Sequence, residues 1–259
     1  MDEKKLWAFI KTCMALTILI LAYFMPRIAF REPPGAGADQ APAAKTGASK
    51  TALTESDQTE TKIQGQRGLI ILDPGHGGMD PGMIGVGGIK EKLINLQVSL
   101  ALAEKLEEQG FETMLTRTED TGLYDPETVN KKAQDMQRRC ALIEEKDPLL
   151  TVSIHQNSYS DPAVYGPQVF YFEHSVEGKE LAACIQEQLN TRLGIAKPRE
   201  IKGNTNYYIL KRSASVTVLV ECAFLSNPEE AAKIQTEEYQ NAVAAAICDG
   251  IVCWVGLPQ

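Results

Sequence analysis

Two histidines and two glutamates in this chain stand where short apolar runs give out. His76 lies in "ILDPGHGG" (71–78) at the tip of a glycine-rich turn, and His155 closes "LLTVSIHQN" (149–157). Glu221 comes late in "SVTVLVECAF" (215–224), and Glu91 follows the glycine-rich "GMIGVGGIKEK" (82–92). Two neutral imidazoles and one carboxylate are a common ligand set for catalytic zinc, because they hold the ion and leave a fourth position for water. The remaining carboxylate can then serve as base toward that water, whose pKa the ion lowers toward about 7. Asp73, beside the first turn, and Asn157, two residues past His155, are candidates to orient the ligands from behind.

Such a set works only if the fold gathers it. The runs 68–72, 111–117, 149–154, 167–172, 206–210 ("NYYIL") and 215–221 are short and rich in β-branched or aromatic residues, as strands are. Helical stretches lie between most of them. Residues 93–109 place Leu96, Leu100, Ala103 and Leu106 on one stripe and stop at Gly110; 129–146, 178–193 and 239–254 are further helices. In "SNPEEAAKI", Asn227 is the expected N-cap, Pro228 the first helical residue, and two glutamates fill the first turn. This alternation predicts an α/β fold: a single open, mostly parallel twisted sheet of about six strands with helices on both faces. Ligands of such sheets gather beyond the carboxyl ends of the strands, where His76, His155 and Glu221 fall. Glu91 opens the first helix and returns to the same rim.

The chain has 259 residues and a formal charge of -8, which argues against a nucleic-acid partner. Residues 1–31 are different in kind. The run 6–24 is apolar apart from Lys11, about the length a bilayer core demands, and predicts a membrane anchor, with a cleaved signal peptide as the rival reading. Lys4, Lys5 and Lys11 before the apolar centre and Arg27 and Arg31 after it orient the segment only weakly. Residues 32–66 hold almost no large apolar side chains and read as a flexible tether, leaving 67–259 as the catalytic domain. Six cysteines without a CxxC pair suit neither a disulfide scaffold nor a zinc knuckle, so buried free thiols are expected; Cys248 and Cys253 do not favour pairing with each other.

Taken in order, "DPGHGGMDPG", "EK" (91–92), "TR" (116–117), "RR" (138–139), "VSIHQN" and "VECAFLSNPEE" resemble the type 3 family of zinc-dependent N-acetylmuramoyl-L-alanine amidases, which cut peptidoglycan. The resemblance runs from about 69 to 254 and is nearest to the membrane-anchored spore-cortex (germination-specific) members. It implies that His76, Glu91 and His155 bind one zinc ion and that Glu221 is the catalytic glutamate. It implies hydrolysis of the amide between the lactyl group of N-acetylmuramic acid and L-alanine, on glycan strands carrying stem peptides, in spore-cortex maturation. The catalytic domain would then lie outside the cytoplasm, in the wall or cortex space, with an activating protein as a possible further partner. Two positions depart from the family pattern: Ala223 replaces a usual glycine and Glu144 a frequent asparagine. The chain also runs from "VFYFEHS" directly into "GKELAACI", without the long helical insertion that plugs the site in other members.

Plainer roles compete for some of these residues. Glu91 could merely cap its helix, since acids are favoured in a first turn. Arg117 and Arg139 are expected to brace helices or loops rather than to bind substrate, and His174 is expected at the surface. Two other functions remain open on sequence grounds: a non-catalytic wall-binding or activator module, and a zinc peptidase cutting another wall bond.

Overall fold

A computed structural model describes residues 67–256; the expected anchor and tether, 1–31 and 32–66, lie outside the described residues. Six strands form one sheet: β1 (Leu69–Pro74), β2 (Glu112–Leu115), β3 (Leu150–Asn157), β4 (Gln168–Phe172), β5 (Lys202–Asn204) and β6 (Thr217–Phe224), in the spatial order β2-β1-β3-β6-β4-β5. All neighbours pair parallel except β4 with β6, which run antiparallel, so the mostly parallel open sheet is borne out. The helices are α1 (Glu91–Glu108), α2 (Lys131–Lys146), α3 (Val176–Arg192), α4 (Tyr208–Arg212), α5 (Pro228–Lys233) and α6 (Glu237–Val255). Among the described residues no helix is long and apolar enough to cross a membrane.

Alternation along the strands builds two cores. Ile70, Leu72, Val152, Ile154, Val218 and Val220 face one way and bury against α1, α3 and α6. Ile71, Phe170 and Leu219 face the other way and bury against Ile143 of α2 and Ile209 and Leu210 of α4. Every residue of β6 is buried, as expected of a central strand covered on both sides. Helix starts follow ordinary capping chemistry: Asn130, Ser175 and Thr236 each accept a first-turn N–H, and Asn227 accepts those of Glu229 and Glu230 with Pro228 behind it.

Two expectations are corrected. The run "NYYIL" is not a strand: Tyr208–Arg212 is a helix, and the edge strand is the preceding Lys202–Asn204. The cause is Asn204, whose Oδ1 accepts the N–H groups of Asn206 and Tyr207 at 2.7 Å each and turns the chain. A short apolar run cannot by itself separate strand from helix. The stripe on α1 is also shifted. Ile94, Val98, Leu102, Ala103 and Leu106 are buried, whereas Leu100 is exposed. The buried face of α1 is the one that turns Glu91 and Asn95 inward, and the leucines outside it blur the apolar pattern.

Candidate metal centre

At the carboxyl end of β1 the chain makes a sharp, over-determined turn. His76 has φ 64°, a left-handed backbone that only glycine adopts freely, so its surroundings must hold it there. Arg139, 1% exposed, provides much of that hold. Its Nη2 donates to the His76 carbonyl at 2.7 Å, its Nη1 to Asp73 Oδ1 at 2.6 Å and the Pro74 carbonyl at 2.9 Å, and its Nε to Asp135 at 2.6 Å. Asp73 also accepts the hydroxyls of Thr116 and Ser153, each at 2.7 Å. Burial would raise the Asp73 carboxyl, but the Arg139 guanidinium and these hydrogen bonds outweigh it and leave it lowered. Arg117 closes the turn from the other side, donating to the carbonyls of Pro74 (2.9 Å), Gly75 (3.0 Å) and Lys92 (2.8 Å). Both arginines therefore brace, as expected, and Asp73 acts on His76 through Arg139.

Glu91, at the start of α1, meets both histidines. Its Oε1 lies 2.9 Å from His155 Nδ1 and its Oε2 lies 3.3 Å from His76 Nε2, while the two rings stand edge to face with centroids 5.0 Å apart. Backbone N–H groups fix the carboxylate: Gln156 donates to Oε1 at 3.0 Å and Met83 to Oε2 at 2.7 Å. Burial would raise the Glu91 carboxyl, yet the bonds from His155 and His76 hold it far below the usual carboxylate range. Bare backbone makes room for the cluster. A Cβ on Gly75 would stand 2.2 Å from His155 Cε1, and one on Gly82 would stand 2.5 Å from Glu91 Oε2.

Glu221 completes the group. It is the partner of His155 in the β3–β6 register, is 7% exposed, and lines the same cleft of about 360 Å³ as His76, Glu91 and His155. Its Oε2 is buried without a hydrogen-bond partner among the described residues. Burial pushes its carboxyl up to about 7, with His155 and His76 opposing the rise and Glu91 adding to it.

The donor set fits a divalent cation. One ligand atom from each of His76, Glu91 and His155 lies within 4.8 Å of the others. The surroundings favour positive charge there: burial would lower the His76 imidazole, but Glu91 and Asp80 leave it raised. An unpartnered carboxylate oxygen beside such a cluster is costly unless a cation or water meets it.

Sequence reasoning missed several members of the site. Asp80 Oδ2 lies 3.0 Å from His76 Nδ1, fixing the ring so that Nε2 faces Glu91; the signal was its position four residues on in "GHGGMD". Asn95, one helical turn after Glu91, donates to Glu91 Oε1 (3.2 Å) and to the Gly75 carbonyl (3.1 Å), and accepts from the Gln156 side chain (3.2 Å). Lys132, Met136, Tyr207 and Tyr208 also line the cleft. Asn157 is a correction. Its side chain accepts the N–H of Ser158 at 2.8 Å, and Asn157 is not among the residues that line the cleft. His174 is exposed and packs edge-on against Phe172, 5.3 Å between centroids.

Known proteins resemble this chain in sequence and in fold. The family model described as N-acetylmuramoyl-L-alanine amidase matches residues 70–253. A germination-specific N-acetylmuramoyl-L-alanine amidase of Bacillus subtilis (strain 168) is 35% identical over 187 residues, 71% of this chain and 78% of that protein. The solved CwlD amidase from Clostridioides difficile, in complex with the GerS lipoprotein, superposes with a TM-score of 0.72 at 37% identity, covering 74% of this chain and all of that one. An N-acetylmuramoyl-L-alanine amidase from Clostridium difficile 630 gives 0.66 at 30% identity, covering 74% of this chain and 98% of the other.

Proposed function

The chain belongs to the N-acetylmuramoyl-L-alanine amidase family, and from that premise we propose that its cleft hydrolyses the amide between the lactyl group of N-acetylmuramic acid and L-alanine in peptidoglycan, using one zinc ion. His76, Glu91 and His155 hold the ion, since two ring nitrogens and one carboxylate oxygen suit zinc and leave a position open. Bound there, zinc supplies a Lewis acid and acidifies a water toward a pKa of about 7. Glu221 takes the proton of the attacking water and returns it to the leaving amine. Asp80 accepts from His76 Nδ1 and keeps Nε2 free for the ion. Asp73 and Arg139 keep the His76 backbone in its left-handed turn.

One observation carries this reading: the unpartnered Glu221 Oε2 shares a cleft with the His76–Glu91–His155 cluster. The test is digestion of purified peptidoglycan by the full chain with zinc, followed by mass spectrometry of the products. Stem peptides with a free L-alanine amine, absent with Glu221→Gln, are expected. Cleavage at another bond would make the protein a wall peptidase, and zinc binding without any cleavage would make it a binding module.

We extend the reading to its setting. Residues 1–31 anchor the chain, 32–66 tether it, and the catalytic domain works on the extracytoplasmic side, on spore-cortex peptidoglycan, with a protein partner. The germination-specific relative supports the cortex role and the relative solved with a lipoprotein supports a protein partner; the apolar run 6–24 is what supports the anchor. Protease accessibility of the domain in intact cells, and cortex composition in cells lacking the gene, test it.

A further inference from the structure

Helices α3 and α6 cross in opposite directions over the sheet, and three contacts fix how they meet. Arg192, late in α3, pairs with Asp249, in the middle of α6. Gly250 lies so close to α3 that a Cβ there would stand 2.5 Å from the Ile185 Cα, so the two backbones nearly touch. Next to Ile185 is Cys184, and one turn beyond Gly250 is Cys253, so the two thiols flank the point of closest backbone approach. Cys184 is half-buried and Cys253 exposed at this seam. The other described cysteines are buried and engaged elsewhere or far from a second thiol: Cys222 Sγ donates to the Val220 carbonyl and Cys248 Sγ to the Lys105 carbonyl.

From the close backbone approach at Ile185 and Gly250, and the thiols that flank it, we propose that Cys184 and Cys253 are a redox pair that closes an intrachain disulfide between α3 and α6. The sequence offers no sign of it, because the partners are far apart in the chain and share no motif.

The oxidant is a disulfide donor, either a small-molecule disulfide or a thiol–disulfide oxidase. Cys253, the exposed member, attacks one donor sulfur as thiolate, forming a mixed disulfide and releasing one donor thiol. Cys184 then attacks the Cys253 sulfur, forming the protein disulfide and releasing the second donor thiol. The two protons lost by the cysteines and the two electrons removed from them end on the two donor thiols. Burial and the adjacent Cys253 push the Cys184 thiol up to about 11, so it waits as a thiol until the mixed disulfide is beside it. The linkage would tie the C-terminal helix to α3 without touching the cleft, which lies at the carboxyl rim of the sheet.

The test uses the full chain in detergent, equilibrated with oxidised glutathione. Free thiols are blocked with one alkylating reagent, and the remainder are reduced and labelled with a second. The expected result is second-label incorporation at Cys184 and Cys253 alone, with a linked peptide in the non-reducing digest. Adding reductant should lower the melting temperature of this oxidised chain by several degrees and leave Cys184→Ser and Cys253→Ser unmoved. Recovery of Cys184 and Cys253 as free thiols, or linkage of either to a different cysteine, overturns the proposal. Because the unmutated chain alone decides linkage, the outcome does not depend on either variant folding. It is equally independent of whether the cleft proves catalytic.

Discussion

Glu221 stands directly across from His155 in the β3–β6 register, one strand over and on the same rim, with one carboxylate oxygen left bare. Glu221→Gln keeps the shape of the side chain and removes its ability to accept and return a proton. The expected outcome is loss of amidase turnover by about 10²–10⁴-fold, with zinc content unchanged. Product release from labelled peptidoglycan and metal analysis of the same samples check both halves.

The same residue should set a pH dependence of stability in chelator-treated protein. Its carboxyl moves from 4.5 in the unfolded chain to about 7 in the fold, so its contribution is fully present below 4.5 and lost as pH rises through 7. At about pH 8 a shift of this size corresponds to about 3 kcal/mol of lost stability. Glu221→Gln cannot ionise and should be more stable than the parent at about pH 8 by an amount of that order. Near pH 4.5 the two should unfold at the same denaturant concentration.

Asp80→Asn removes the anion that fixes the His76 ring while keeping a side chain of the same size. Loss of such a partner typically weakens metal affinity by about 10–100-fold. Chelator competition should show a drop of that order, with the thermal unfolding of the chelated form little changed.

Gly75→Ala asks whether the fold tolerates a filled cradle. A Cβ there would stand 2.2 Å from the His155 ring, so the ring must swing out of the cluster. Circular dichroism should remain that of the parent, while zinc is lost and activity with it. A variant that binds zinc as tightly as the parent would remove His155 from the ligand set.

Breaking the Asp73–Arg139 pair should be expensive, because each partner is almost wholly buried. Arg139→Met leaves the Asp73 carboxylate without its charge partner, and disruption of such pairs costs about 3–5 kcal/mol. The combined change Asp73→Asn with Arg139→Met should cost less than the two single changes added together. Chemical denaturation of the three variants gives the coupling directly.

Much of the site was readable because its chemistry sits at strand ends, where apolar runs of four to six residues stop at a polar side chain. His76, His155 and Glu221 announced themselves in that way, and the structure brings them together with Glu91. The helix at 228 was legible from Asn227 and Pro228, which act locally. What the sequence concealed depends on tertiary placement. Glu230 looked like a dipole-favoured first-turn acid, yet it is buried and accepts the N–H groups of Phe224 and Gly166. Asn157 seemed aimed at the site, yet its side chain turns back to accept the N–H of Ser158. The three-residue edge strand at Lys202 carries no apolar run at all, so the neighbouring aromatic stretch drew the assignment instead.

The order β2-β1-β3-β6-β4-β5 has a bearing on how the protein is made. The strand that sits between β3 and β4 is the last of the six to leave the ribosome, and it carries Glu221. Until residues 217–224 emerge, the growing chain holds two partial sheets with raw edges and no seam to join them. Assembly of a working hydrolase is thereby deferred until β6 is made, so the site cannot exist while only the first five strands have been synthesised.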